Sequence, residues 1–214
     1  MQKDPYGRGG GTAVPTRWQF VKGVHNMTLI QAKELLSSHC IAFTEMEFAS
    51  EADFYDHILP FSYVPKANDH KLYALIIQSN NGNKHITLEF IEKNGEYVFA
   101  DLWFGDFTYE YLFDGVIEND SYSLQEIQEM LMDDIQAIMG NRIAIITVTN
   151  PKTKQLISDS QFDRSDADDA YFGEKGFQRA IGNIRKKPTL LWRLLGIRRQ
   201  YEIYDWNSYE CITK

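Results

Sequence analysis

Four segments with the composition of β-strands follow one another between residues 71 and 113, joined by very short links. The segments read KLYALIIQ, KHITLEFIE, EYVFADLWF and FTYEYLF, and the links between them read SNNGN, KNG and GD. Parallel neighbours need a crossover connection of about a dozen residues or more, which these links cannot supply. The region therefore predicts consecutive antiparallel strands.

The link at Lys93, Asn94 and Gly95 allows two registers for the central hairpin. A two-residue turn at Asn94-Gly95 would mix apolar and charged side chains on each face, whereas a three-residue loop with a left-handed Gly95 separates them. We expect the three-residue loop, which places Thr87 opposite Asp101. The apolar face would then carry Ile86, Leu88, Phe90, Val98, Ala100, Leu102 and Phe104. The other face would carry His85, Thr87, Glu89, Tyr97, Phe99, Asp101 and Trp103.

The polar face of this hairpin and the strand that follows it form the candidate site for a protein partner. Carboxylates beside aromatic rings on a rigid sheet are typical of interfaces in which rings anchor the contact. The predicted partner-binding residues are Glu89, Asp101, Trp103, Asp106, Tyr109, Glu110 and Tyr111. Two alternatives stay open. His85 with Glu89 and Asp101 could perform acid–base chemistry, or the face could be ordinary surface or a second core layer.

Capping signals predict the helices around these strands. Thr28 with Gln31 and Ser123 with Glu126 form capping boxes, and Ser50 can cap a short helix. The predicted helices run over 29–39, 50–59, 123–140, 174–187 and a short stretch ending at 195. Strands and helices without regular βαβ alternation indicate an α+β fold with a mostly antiparallel central sheet and helices packed on it. We expect a single domain over 27–214 after a flexible extension over 1–26.

A basic segment from Lys175 to Tyr201 holds eight Lys or Arg and no Asp or Glu, although the chain has a formal net charge of −8. The interpretation favoured by its interleaved apolar residues is an internal element whose cations face acidic parts of the same chain. A cationic patch for a protein partner and a membrane-surface helix remain open. Nucleic acid is not expected, because a pI near 5.1 implies long-range repulsion. The predicted basic patch is Arg179, Arg185, Lys186, Lys187, Arg193, Arg198 and Arg199.

An acidic loop, DRSDADD at 163–169, precedes that segment. It lacks the central Gly of a calcium-binding EF-hand loop, so we expect its carboxylates to complement the N-terminal end of the next helix and nearby Arg or Lys. The sequence holds no HExxH, CxxC, GxSxG or P-loop, so no metal, cofactor or catalytic residue is predicted. Cys40 and Cys211 are expected to be buried thiols.

The N-terminus, MQKDPYGRGGGTAVPTRWQF, has no apolar stretch of the signal-peptide type, and no window reaches eighteen apolar residues. The sequence therefore predicts a cytoplasmic protein without a transmembrane segment.

The segments ITLEFIEKNGEYVFADLWFGDFTYEYLF and YEIYDWNSYECI, within a small acidic α+β chain, resemble the immunity proteins that bacteria encode beside polymorphic toxins. The resemblance implies a protein that binds a cognate toxin and blocks its active site. An acidic protein would associate quickly with a basic toxin by electrostatic steering. The expected function is neutralisation of a protein partner. The alternatives are a small enzyme centred on His85, Glu89 and Asp101 and an adaptor for membranes or anionic partners acting through the basic segment.

Overall fold

The structure, a computed structural model, describes residues 27–59, 71–109, 123–187 and 196–214. The predicted α+β class is confirmed, because antiparallel strands and helices alternate irregularly along this part of the chain. The described strands are divided between two sheets, which the sequence analysis did not anticipate. The extension at 1–26, Glu110, Tyr111, Arg193 and the short helix ending at 195 lie outside the described residues.

The first sheet is built from the N-terminal half of the chain and has the order β1-β2-β3-β4-β5, with every neighbouring pair antiparallel. The described elements of this half of the chain are α1 (Leu29–Ser38), β1 (Thr44–Phe48), α2 (Glu51–Ile58), β2 (Leu72–Ile77), β3 (Ile86–Lys93), β4 (Glu96–Phe104) and β5 (Phe107–Tyr109). The predicted antiparallel order of the four strand-like segments is confirmed.

The second sheet has the order β7-β6-β8-β9 and is also antiparallel. Its elements are α3 (Leu124–Met139), β6 (Ile143–Thr149), β7 (Leu156–Asp163), α4 (Glu174–Arg185), β8 (Gln200–Asp205) and β9 (Tyr209–Thr213). Among the described strands, the C-terminal strand β9 pairs only with β8 and β7 pairs only with β6, so these two strands form the edges of the sheet.

The helix starts follow the predicted caps. The Thr28 hydroxyl accepts from the Gln31 backbone N–H, and the Gln31 side chain accepts from the Thr28 N–H. Ser123 and Glu126 make the same reciprocal pair at the start of α3, and Ser50 caps α2. These caps satisfy backbone N–H groups that have no partner within the helix.

The predicted three-residue loop of the central hairpin is wrong. Asn94 and Gly95 have φ of 55° and 85°, and Lys93 pairs with Glu96, so the connection is a two-residue turn. Two positive φ values give the turn whose twist matches that of the flanking strands, which explains its formation here.

A β-bulge in the same hairpin then shifts the register. The pairing of β3 with β4 shifts between Leu88 and Phe90 of β3. As a result, Thr87 pairs with Trp103 instead of Asp101. The bulge adds one residue to β4 and reverses which residues of that strand face each side. Phe99 consequently packs in the main core, while Ala100 packs on the opposite face. The predicted faces are confirmed beyond the bulge and reversed for β4 before it.

The main core is formed by residues of both sheets together with residues of α1 and α3. It is the largest apolar cluster and draws on both sheets, with Leu36, Leu88, Phe104, Leu131, Ile135, Ile145 and Tyr204 among its fully buried members. Burial of this area is the main stabilising contribution to the fold.

Two smaller clusters cover the outer faces. Phe54 and Tyr55 of α2 pack on the far face of the first sheet against Trp103. Phe177 and Ile184 of α4 pack on the far face of the second sheet. The predicted polar face of the central hairpin is therefore an inner layer, covered by α2.

Candidate protein-binding surface

The predicted partner-binding face of the central hairpin is closed to solvent. Glu89, Asp101 and Trp103 expose 1%, 6% and 9% of their surface. The prediction that these residues form an open platform is wrong, because the apolar side of α2 packs over them through Phe54 and Tyr55. The sequence alternative of a second core layer describes this face correctly.

Burial makes this layer electrostatically unusual. The pKa of Glu89 is well above its ordinary value, chiefly because of burial and then because of Asp101 and Glu51 nearby. The Trp103 indole N–H donates to Oε2 of Glu89 at 2.8 Å and partly opposes that shift. His85 is half-buried, and its Nδ1 accepts from the Ser79 backbone N–H at 3.2 Å.

Asp106 was predicted as a partner contact, and the structure places it inside the seam between the sheets. Lys84 Nζ lies 2.6 Å from Oε2 of Glu202 and 3.4 Å from Oδ1 of Asp106. The Tyr204 hydroxyl donates to the same Asp106 oxygen at 2.5 Å. Asp106 is 5% exposed, so the prediction of a surface role is wrong. The β4–β5 turn carries it inward, where it joins the two sheets.

Tyr109 is half-buried, and its hydroxyl oxygen is buried. Burial raises its pKa, and the nearby carboxylates of Asp134 and Asp163 raise it further. Of the seven predicted partner-binding residues, the five within the described part of the chain therefore face inward wholly or in part.

The open surface with the predicted chemistry lies instead on the loop between β7 and α4. We call residues 163–173 the aspartate loop. It carries four aspartates within seven residues, and its end presents two adjacent rings, Tyr171 and Phe172, with 75% and 64% of their surface exposed. Carboxylates and aromatic anchors thus share one exposed segment.

Ion pairs fix the base of the aspartate loop. Arg142 makes a bidentate contact with Asp163, with Nε and Nη2 donating over 3.2 Å and 2.8 Å. The Arg142 guanidinium is the main reason that the pKa of Asp163 is lowered to about 2. Arg164 bridges Glu174 of α4 at 2.8 Å and Asp205 of β8 at 3.1 Å. The loop is therefore joined to the residue that precedes β6, to β8 and to α4.

Backbone contacts fix the rest of the loop. Oδ1 of Asp166 accepts from the N–H groups of Asp168 and Asp169 at 3.1 Å and 2.9 Å. The Asp163 N–H donates to the Phe172 carbonyl oxygen at 2.8 Å. A Cβ at Gly173 would lie 2.0 Å from the Asp166 carbonyl oxygen, so only glycine allows the chain to close there. The rings are thus presented from an ordered loop.

Sequence reasoning identified the acidic part of this loop but missed Tyr171 and Phe172. The expectation that its carboxylates pair with nearby Arg or Lys is confirmed by the Arg142–Asp163 and Lys175–Asp168 pairs. The available signal for the rings was their position just after four aspartates, separated from the last of them by Ala170 alone.

The basic segment is partly an internal element. Phe177 and Ile184 of α4 are buried against the second sheet, and Arg185 pairs with Glu210 at 3.1 Å. These contacts agree with the favoured sequence interpretation. Within the described residues of the predicted patch, Arg179, Arg185, Lys186, Lys187 and Arg198 are exposed and Arg199 is half-buried.

Both cysteines differ from expectation, since Cys40 and Cys211 are exposed thiols. Cys40 adopts a φ of 57° directly after α1, which turns the chain out of the helix. Among the residues that the structure describes, no group of three or more His, Cys, Asp or Glu is arranged to hold a metal ion. None of the helices in the described ranges has the length and apolar character that a bilayer crossing requires.

Comparison of the chain with protein-family models, curated proteins and solved structures gives no match.

Proposed function

We propose that this chain is a binding protein that neutralises a basic protein partner, as immunity proteins neutralise their toxins, and that it binds through the aspartate loop. The observation that carries the proposal is the exposed pair Tyr171 and Phe172 beside Asp166 and Asp168. Aromatic residues dominate the binding energy of many interfaces, and carboxylates around them favour a cationic partner.

The ordered base of the loop supports this proposal energetically. A loop that is already fixed by Arg142, Arg164 and Gly173 loses little conformational freedom when it binds. Two exposed rings on a fixed loop bring apolar area to an interface without contributing to the described core clusters. This arrangement favours a contact role over a structural one.

The test compares three forms of the protein immobilised as bait in a lysate of the source organism. The wild type should retain a basic protein that elutes when the salt concentration is raised. The double variant Tyr171→Ala/Phe172→Ala should lose it, and the matched control Ile30→Ala, which removes another exposed side chain, should keep it. Identical retention by all three forms would contradict the proposal. Neutralisation is then checked by co-expressing the retained protein with the wild type and with the double variant.

Acid–base catalysis is the competing function, because the raised pKa of Glu89 beside Asp101 resembles the paired carboxylates of acid–base sites. The 1% exposure of Glu89 and the cover provided by α2 count against access of a substrate. The variant His85→Ala separates the two functions. A binding protein should keep its affinity for the retained partner within about twofold, whereas an acid–base enzyme should lose turnover.

A further inference from the structure

We propose that the partner adds an extended, positively charged segment to the open edge of β7, beside the aspartate loop. This inference rests on the proposed function, because it names the part of the partner that is bound and the way in which it binds. Strand addition uses backbone hydrogen bonds for affinity and alternate side chains for specificity.

The outer edge of β7 is open in the described part of the chain. β7 stands at the end of its sheet and pairs with β6 alone. The Arg164 N–H donates to the Arg142 carbonyl oxygen on the β6 side, while the Asp163 N–H donates to Phe172 on the other side. Because these directions alternate along an antiparallel strand, Gln161 and Asp159 direct their backbone groups to the open edge.

Asp159 shows how one of these groups is satisfied without a neighbouring strand. Asp159 is exposed. The pKa of its carboxyl is raised, chiefly by partial desolvation and further by the carboxylate of Asp106, while a hydrogen bond from its own backbone N–H opposes that shift. An N–H that turns back to its own side chain can be released to an incoming carbonyl oxygen. The Phe172 carbonyl already occupies the next outward position, that of Asp163. The aspartate loop thus makes the first backbone hydrogen bond along the outer edge of β7, and an added strand would make the following ones.

The four edge strands in the described sheets differ in their protection against such pairing. β5 has 3 residues and β9 has 5, which leaves little length for an added strand. β1 also has 5 residues, and two of them are glutamates, Glu45 and Glu47. β7 has 8 residues, without proline or lysine, and exposes Ile157 at 44%. Short strands, charges and proline are the usual protections of an edge. β7 is the longest of the four and lacks proline, and its two charges, Asp159 and Asp163, would attract a basic segment.

The negative charge around this edge favours a positively charged segment as the added strand. Asp159, Asp163, Asp166 and Asp168 lie on or beside the edge, with Asp163 paired with Arg142 and Asp168 paired with Lys175 in an exposed ion pair. A second copy of β7 would bring its own Asp159 to the same edge, and like charges on adjacent strands are destabilising. A segment with Lys or Arg at alternate positions would gain from the same carboxylates. Its apolar side chains would meet Ile157 and Phe172.

The experiment uses a synthetic eight-residue peptide of alternating lysine and valine as the probe, with the full-length protein. Amide hydrogen exchange followed by NMR should show that the Gln161 N–H exchanges at least tenfold more slowly when the peptide is bound. Gln161→Pro removes that N–H at a position where proline is tolerated, since it faces away from β6. This variant should weaken peptide binding about tenfold or more, whereas the control Gln161→Ala should stay within about twofold of the wild type.

Three outcomes would overturn strand addition. The peptide binds without protecting Gln161, Gln161→Pro binds it as the wild type does, or sedimentation shows a dimer that Gln161→Pro abolishes, which assigns the edge to a second copy. The exchange measurement on the wild type does not depend on the folding of any variant. Failure here is distinct from failure of the proposed function. If Tyr171→Ala/Phe172→Ala loses the captured partner and Gln161→Pro retains it, binding through the aspartate loop is supported and strand addition at the β7 edge is refuted.

Discussion

The indole N–H of Trp103 donates to the carboxyl group of Glu89 at 2.8 Å, in the layer between α2 and the first sheet. The donor is uncharged, so it does not neutralise an ionised Glu89. Asp101 and Glu51 add negative charge on neighbouring elements. Ionisation of Glu89 in this layer therefore costs free energy, and the effect on stability depends on pH.

Glu89→Gln should make the protein more stable at high pH. The folded-state pKa of Glu89 is raised, so its favourable contribution is complete below the ordinary value of 4.5 and is lost as pH rises through the folded pKa. The variant should gain about 1 kcal/mol or more of unfolding free energy at pH 8 and none at pH 4. Urea unfolding at both pH values measures this. The exposed control Asp56→Asn should show no such difference, and an equal gain at both pH values would contradict the assignment.

Gly105→Ala should destabilise the seam between the sheets. Gly105 has a φ of 61°, and an added Cβ would lie 2.8 Å from Cδ of Lys84 and 3.0 Å from the Tyr204 hydroxyl. We expect a loss of about 2–4 kcal/mol from backbone strain and overpacking together. Gly82→Ala is the matched control, because Gly82 has a φ of 70° with open space around it and should lose only about 1–2 kcal/mol. Equal losses in chemical denaturation would refute the close contact.

Lys84→Met should be strongly destabilising. The ammonium group is the cation between buried Asp106 and Glu202, and its removal leaves two carboxylates unpaired in the seam. The expected loss near neutral pH is about 3–5 kcal/mol. Lys175→Met, which breaks the exposed pair with Asp168, should lose about 1 kcal/mol or less. Guanidinium unfolding of the two variants makes the comparison, and similar losses would place Lys84 outside the seam.

Arg142→Gln should lower stability near pH 6 and have much less effect at pH 2. The pKa of Asp163 is lowered to about 2, mainly by Arg142, so the stabilisation is present above its ordinary value of 3.8 and disappears as pH falls through about 2. Because both side chains are well exposed, the loss near pH 6 should stay within about 1 kcal/mol. Thermal unfolding between pH 2 and pH 7 tests the profile. Arg185→Gln serves as the control, since it breaks an exposed pair away from the loop.

The parts of the fold that the sequence predicted correctly depend on neighbours a few residues apart. The capping boxes of Thr28 and Ser123 each close over three residues, so local chemistry determines them. The order of the antiparallel strands follows in the same way from short links. The prediction of the register of the central hairpin was wrong because of the bulge in β4. Packing on both faces of the sheet determines that bulge, and a short stretch of sequence carries no information on such packing.

The candidate site was less predictable, for a different physical reason. The Glu89–Trp103 pair has the composition of an exposed interface, and only the packing of α2 makes it an inner layer. Tyr171 and Phe172 have the composition of core residues. Their exposure depends on Arg164, which fixes the loop to Asp205 over a separation of 41 residues along the chain. Contacts between residues so far apart along the chain determine which side chains are buried, and they leave no local pattern in the sequence.

The aspartate loop separates the residues that determine its shape from those that reach solvent. Asp163, Asp166 and Gly173 hold the turn, while Asp168, Tyr171 and Phe172 point outward and contribute little to folding. A library randomised at these three outward positions should consequently retain its melting temperature in most members. Display selection from such a library could redirect the loop to new targets on an unchanged framework.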